Sequence, residues 1–78
     1  MKVQLISPEK ILFEGVAAYV QIPGISGEFG VLPSHAPFIS TLKEGTVAID
    51  LLDGSKQEFP VTGGVAEVQG GHVVVLVE

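Results

Sequence analysis

The chain has 78 residues, a formal net charge of −5 at pH 7 and no cysteine. Its size allows one domain, residues 1–78, burying roughly 60% of the unfolded surface on folding. No disulfide or thiolate metal site is possible, and with no arginine and four scattered lysines the chain lacks the clustered cations that bind nucleic acid.

Taken in order, the elements are all strands. Ten glycines and five prolines break every 3.6-residue pattern before three turns complete. "KVQLI" alternates and puts Val3 and Leu5 on one face. "LFEGVAAYVQI" puts Leu12, Val16, Ala18, Val20 and Ile22 on a shared face, with Glu14-Gly15 as the expected bulge. The stretch Gly24–Pro37, "GISGEFGVLPSHAP", holds three glycines at a spacing of three and two prolines that bracket His35. "TVAIDLL" aligns Val47, Ile49 and Leu51, and "QEFPVT" aligns Phe59 and Val61. Pro60 then belongs on an edge strand or in a bulge, where its missing N–H costs no ladder bond. Asp53-Gly54 predicts a type I′ hairpin turn, Gly63-Gly64 a junction, and Gln69-Gly70-Gly71 a second tight hairpin. "VVVLV" lacks polar alternation, so its strand is covered on both faces or presents its outer face to a partner. Short strands at this spacing without helices mean an all-β sandwich or barrel.

The longest unbroken apolar runs, Val16–Val20 and Val73–Val77, are five residues, against about 20 for a bilayer-spanning helix. "MKVQLISPE" is too short an apolar stretch for a signal peptide. No membrane insertion is expected, and an anionic membrane surface is a poor partner for this charge balance. A core this small contributes only about 3–5 kcal/mol, so a partner is expected to supply part of the stability. The chain stops at Glu78 directly after a strand, which raises the expectation of a truncated or pared-down form.

The segment Gly24–Pro37 carries the chemical question. It is no phosphate cradle: the glycine spacing is wrong, no lysine follows, and Glu28 would repel phosphate. The two histidines, His35 and His72, have no ligand-like spacing, and Glu28 with His35 gives two ligands where a metal needs at least three. Ser34 adjoins His35, but neighbours on an extended segment point to opposite sides. No catalytic residue, cofactor or metal is therefore assigned. The remaining reading is a stiff surface protrusion with Glu28 near its tip and Ile25, Phe29, Val31 and Leu32 on its flanks. Some of these apolar residues are expected to plug the sandwich end instead. An alternative is a free-standing β-sandwich ligand module for a carbohydrate, although sugar sites stack on exposed aromatics and only Tyr19 and four Phe are available.

"PGISGEFGVLPSHAPFISTLKEGTV" (23–47), with "LISPEKILFEG" before it and "VTGGVAEVQGGHVVVLVE" at the end, resembles the epsilon subunit of F-type ATP synthases over essentially the whole chain. The resemblance implies a flattened β-sandwich of about ten short strands. It implies a non-catalytic rotor subunit of a proton-translocating complex, at the foot of the central stalk. There it would bind the gamma subunit and the ring of c subunits and couple ring rotation to ATP synthesis. Gly27, Glu28 and Phe29 would face the c-ring, and His35, Ala36, Pro37 and Ser40 would face gamma. The expected location is peripheral, on the cytoplasmic face of an energy-transducing membrane, most simply a bacterial inner membrane. The two C-terminal helices common in the family are absent from these 78 residues, so neither inhibition nor ATP sensing is assigned.

Overall fold

Alternating apolar residues separated by turn formers build strands throughout. The computed structural model describes residues 1–78 and contains eight strands and no helix. They are β1 (Lys2–Ile6), β2 (Ile11–Gly24), β3 (Gly27–Val31), β4 (Phe38–Leu42), β5 (Gly45–Leu51), β6 (Lys56–Val61), β7 (Gly64–Gln69) and β8 (His72–Val77). The chain is all-β as expected, with eight strands where the resemblance implies about ten. It is flattened, measuring 27 × 24 × 17 Å along its principal axes.

The fourteen-residue β2 is the seam of the sandwich. Its first part pairs with β1, its second part with β5 on one edge and β3 on the other. Gly24 at its end meets Leu42 of β4. One layer, β1–β8–β7–β4, therefore joins the other, β3–β2–β5–β6, through a single continuous strand. Only β1 and β8 run parallel; every other pairing is antiparallel.

Inward-facing residues of both layers form one apolar cluster. Val3, Leu5, Val73 and Val75 come from one layer, and Ala17, Val20, Ile22, Val31, Val47 and Ile49 from the other. No polar side chain is buried. This core rests on area burial alone, at about 25 cal/mol per Å².

The turns bear out the reading in kind and correct it in detail. Gly70 and Gly71 take φ values of 55° and 76°, as a type I′ turn requires, and Gln69 pairs with His72 across them. The Asp53-Gly54 hairpin also forms, but not as type I′: only Gly54 has a positive φ, 91°. Its N–H donates to the Leu51 carbonyl at 3.1 Å, and Asp53 Oδ1 accepts from the N–H and hydroxyl of Ser55 at 2.9 and 2.6 Å. The aspartate thus ties its own loop together and needs no left-handed backbone.

The bulge expected at Glu14-Gly15 is absent, since both residues pair regularly with Gln4 and Val3. The register slips on either side instead, opposite Leu5/Ile6 and between Ala17 and Tyr19. Each slip switches which side chains face inward. Val16, expected on the buried face, is 50% exposed, whereas Ala17, Val20 and Ile22 are fully buried. Pro60 lies on β6, an end of the strand order, as its chemistry requires. β8 is central, between β1 and β7, yet it is covered on one face only: Val73, Val75 and Val77 are buried and Leu76 is 50% exposed.

Candidate functional site

The segment Gly24–Pro37 folds into two short devices. A two-residue loop, Ile25-Ser26, joins β2 to β3, and Gly24 pairs with Gly27. Ile25 and Ser26 keep negative φ while Gly27 takes 136°, a backbone state that favours glycine. The tip is therefore Ile25-Ser26. Glu28, expected near the tip, sits inside β3 opposite Pro23, on the flank of the hairpin. The second device is a β-turn from Leu32 to His35, closed by the His35 N–H donating to the Leu32 carbonyl at 2.9 Å. Pro33 occupies the position that its fixed φ favours.

β3 hydrogen-bonds only to β2, and β4 has its long ladder with β7. A gap therefore opens between β3 and β4. It forms an open concavity of about 470 Å³, lined among others by Glu28, Phe29, His35, Phe38, Ile39 and Ser40. Phe29 packs edge-on against Phe38 with ring centroids 5.2 Å apart, and His35 lies 6.1 Å from Phe38. His35 Nδ1 meets the Ala36 carbonyl at 2.7 Å.

Of the residues assigned from sequence, Gly27, Glu28, Phe29, His35 and Ser40 line this one concavity. Ala36 and Pro37 are exposed on the segment that enters β4. Two sets of residues, expected to serve two partners, thus share one rim. Val31 is fully buried and Phe29 is packed against the core, so these two plug the sandwich end. Ile25 and Leu32 are 63% and 57% exposed and stay available for contact.

Glu28 does not pair with His35. Its Oε1 accepts from Gln21 Nε2 at 3.1 Å, and Gln21 Oε1 in turn accepts from the Tyr19 hydroxyl. Sequence reading missed Tyr19, Gln21, Phe38 and Ile39. The signal for the first two lay in hairpin register: a two-residue loop at Ile25-Ser26 sets Gln21 opposite Gly30 and diagonal to Glu28. No group of three or more His, Asp or Glu is arranged to hold a metal. Phe38 is the one exposed aromatic, too little for a sugar-stacking platform.

A second surface stands out on the outer face of the β4–β7–β8–β1 layer. Thr41, Val65, Leu76, Ile6 and Ile11 are consecutive cross-strand partners on five strands. Val65, Leu76 and Ile11 are 42%, 50% and 54% exposed. At about 4.8 Å per strand step this row is roughly 19 Å long. No helix is long and apolar enough to cross a membrane.

Known proteins resemble this chain in sequence and in fold. The chain is 44% identical over 78 residues to an ATP synthase epsilon chain of Bordetella petrii. It is 45% identical over 74 residues to one of Delftia acidovorans. It spans about half of these relatives, 55% and 54% of their lengths. Among solved structures it superposes with a TM-score of 0.90 and 25% identity on a chain of the Euglena gracilis mitochondrial ATP synthase, OSCP/F1/c-ring in rotational state 1. The match covers 96% of this chain and 48% of that one. A chain of the Tetrahymena thermophila mitochondrial ATP synthase central stalk/c-ring shares the fold, with a TM-score of 0.81 at 19% identity, over 99% of this chain and 62% of that one. The sequence model of the ATP synthase, Delta/Epsilon chain, beta-sandwich domain matches residues 1–78, and the chain belongs to that family.

Proposed function

We propose that this domain is a non-catalytic part of the central stalk of a proton-translocating ATP synthase, where it binds the gamma subunit and the c-ring and carries torque between them. The observation that supports this most is the match of the entire chain to the Delta/Epsilon beta-sandwich family. The chemistry of its surface agrees. The concavity between β3 and β4 offers one carboxylate, Glu28, among exposed Ile25, Ile39 and Phe38. That combination suits a polar or basic loop with apolar flanks, met through charge-assisted hydrogen bonds. Glu28, Gly27 and Phe29 are assigned to the c-ring on this ground. His35, Ala36, Pro37 and Ser40 continue from the same rim into β4. They are assigned to gamma together with the mainly apolar row from Thr41 to Ile11. Covering that row would supply the stability that a small core lacks. A sandwich whose layers share one strand suits a torque-bearing part better than a flexible linker would. The domain would sit peripherally, on the cytoplasmic face of the energy-transducing membrane.

Titration calorimetry with purified gamma tests the first contact. Binding is expected, and its absence at concentrations on the order of tens of micromolar would overturn the gamma assignment. For the second, Glu28→Lys should reduce ring affinity about ten- to hundredfold, the loss of a charge-assisted bond plus a like-charge encounter. Unchanged proton pumping in membranes carrying Glu28→Lys would remove Glu28 from the contact.

A further inference from the structure

We propose that Tyr19 and Gln21 are positioning residues that set the orientation of the Glu28 carboxylate for its partner, an inference that rests on the docking role proposed for Glu28. The three side chains share the outer face of the β2–β3 hairpin. Tyr19 and Gln21 are two residues apart on β2, and Glu28 is diagonal to Gln21 on β3. The Tyr19 hydroxyl donates to Gln21 Oε1, and Gln21 Nε2 donates to Glu28 Oε1 at 3.1 Å.

The chemistry of the groups allows one arrangement only. An ionised carboxylate accepts and cannot donate, so the amide must turn its nitrogen toward Glu28. Its oxygen then faces Tyr19, the end at which a phenol can donate. The amide is polarised from both sides, and each bond strengthens the other. Without the hydroxyl, the amide has no fixed end, and a three-χ glutamate on an exposed strand samples several rotamers. With it, Oε1 is held to the hairpin, and Oε2, which has no partner within the chain, is left for an incoming cation or amide donor.

Gly30 makes this possible. It is the cross-strand partner of Gln21, and a Cβ built there would overlap the Tyr19 hydroxyl and ring. The ring lies across the glycine backbone, which only a residue without a side chain permits. Nothing in the sandwich core needs this network, because all three polar groups lie outside it.

The test is a double-mutant cycle on the 78-residue chain, read as affinity for detergent-solubilised c-ring. Tyr19→Phe keeps the ring and deletes one hydroxyl. It should weaken ring binding about two- to tenfold, the range for one net hydrogen bond. In a Glu28→Ala background the same change should have no effect. A Tyr19→Phe loss that persists in that background would overturn the positioning role. The relay is also read without any partner. In the NMR spectrum of the free chain, the Gln21 side-chain amide protons should exchange slowly, and exchange should accelerate in Tyr19→Phe and in Gly30→Ala. Equal exchange in wild type and Tyr19→Phe would refute the relay outright. A normal relay with no effect of Glu28→Ala on ring affinity would instead refute the docking reading and leave the relay standing as a structural device.

Discussion

A ring pair bridges the two walls of the concavity where β3 and β4 do not pair, and its contribution can be measured. The Ile25 N–H donates to the Thr41 carbonyl at 2.8 Å and ties the base of the gap; beyond it β3 does not pair with β4, and the edge-to-face contact of Phe29 and Phe38 at 5.2 Å spans the opening. Phe38 is 45% exposed. A phenylalanine buries about 200 Å² when fully covered, so roughly 100 Å² is removed from water here. At about 25 cal/mol per Å² the area term is about 2–3 kcal/mol. The ring geometry adds about 0.5–1.5 kcal/mol. Leucine keeps most of the area and loses the ring term. Phe29→Leu, Phe38→Leu and the double variant therefore form a cycle that isolates it. Urea unfolding should give a coupling of about 1 kcal/mol, and the single variants should each melt about 4–8 °C lower per kcal/mol lost. A coupling indistinguishable from zero would mean that the rings are neighbours without interaction, and the account of how the concavity keeps its shape would fail.

Other expectations follow from single positions. The Ser55 hydroxyl, and then the Ser55 N–H, hold the Asp53 carboxyl below its ordinary value of 3.8. A lowered folded value means that this contribution is complete above the ordinary value and is lost as pH falls through the folded one. NMR titration should show the low midpoint, and Ser55→Ala should move it up; an unmoved midpoint contradicts the assignment of cause. Gly64 has φ 137°, and a Cβ there would overlap the Leu76 carbonyl and sit 2.9 Å from Val77 Cα. Gly64→Ala should cost well beyond the roughly 1–2 kcal/mol of unfavourable backbone alone, seen as loss of cooperative melting. Retained melting near the wild-type temperature would show that β7 and β8 can part there. Ile22, fully buried, should lose about 0.5–1.5 kcal/mol as Ile22→Val, measured by the same unfolding curves; no loss would mean that the core is looser than its burial indicates.

The strands and their turns were legible because period-two patterning and glycine pairs are local signals. Val3 with Leu5, and Val47 with Ile49, read correctly since nothing interrupts their registers. β2 misled at Val16 and Ala18 because register slips arise from pairing with β1 and β5, which no local pattern encodes. Asp53-Gly54 gave the right hairpin and the wrong turn type, since the Asp53 carboxylate closes its loop through Ser55. Glu28 was found as the lone acid of a glycine-rich stretch. Its place on the flank, and its tie to Tyr19 through Gln21, depend on a two-residue loop whose position three glycines left open. The concavity itself was illegible, because it exists only where β3 and β4 fail to pair.

Cross-linking reads the docking claim most directly. The chain has no cysteine, so Glu28→Cys introduces a unique reactive group on the concavity. Leu52, 70% exposed at the β5–β6 turn, lies roughly 20 Å away along β2 and serves as the control. In assembled ATP synthase, a short cross-linker on Glu28→Cys should capture a c subunit, and the same reagent on Leu52→Cys should not. Capture from both positions, or from Leu52→Cys alone, would contradict the account.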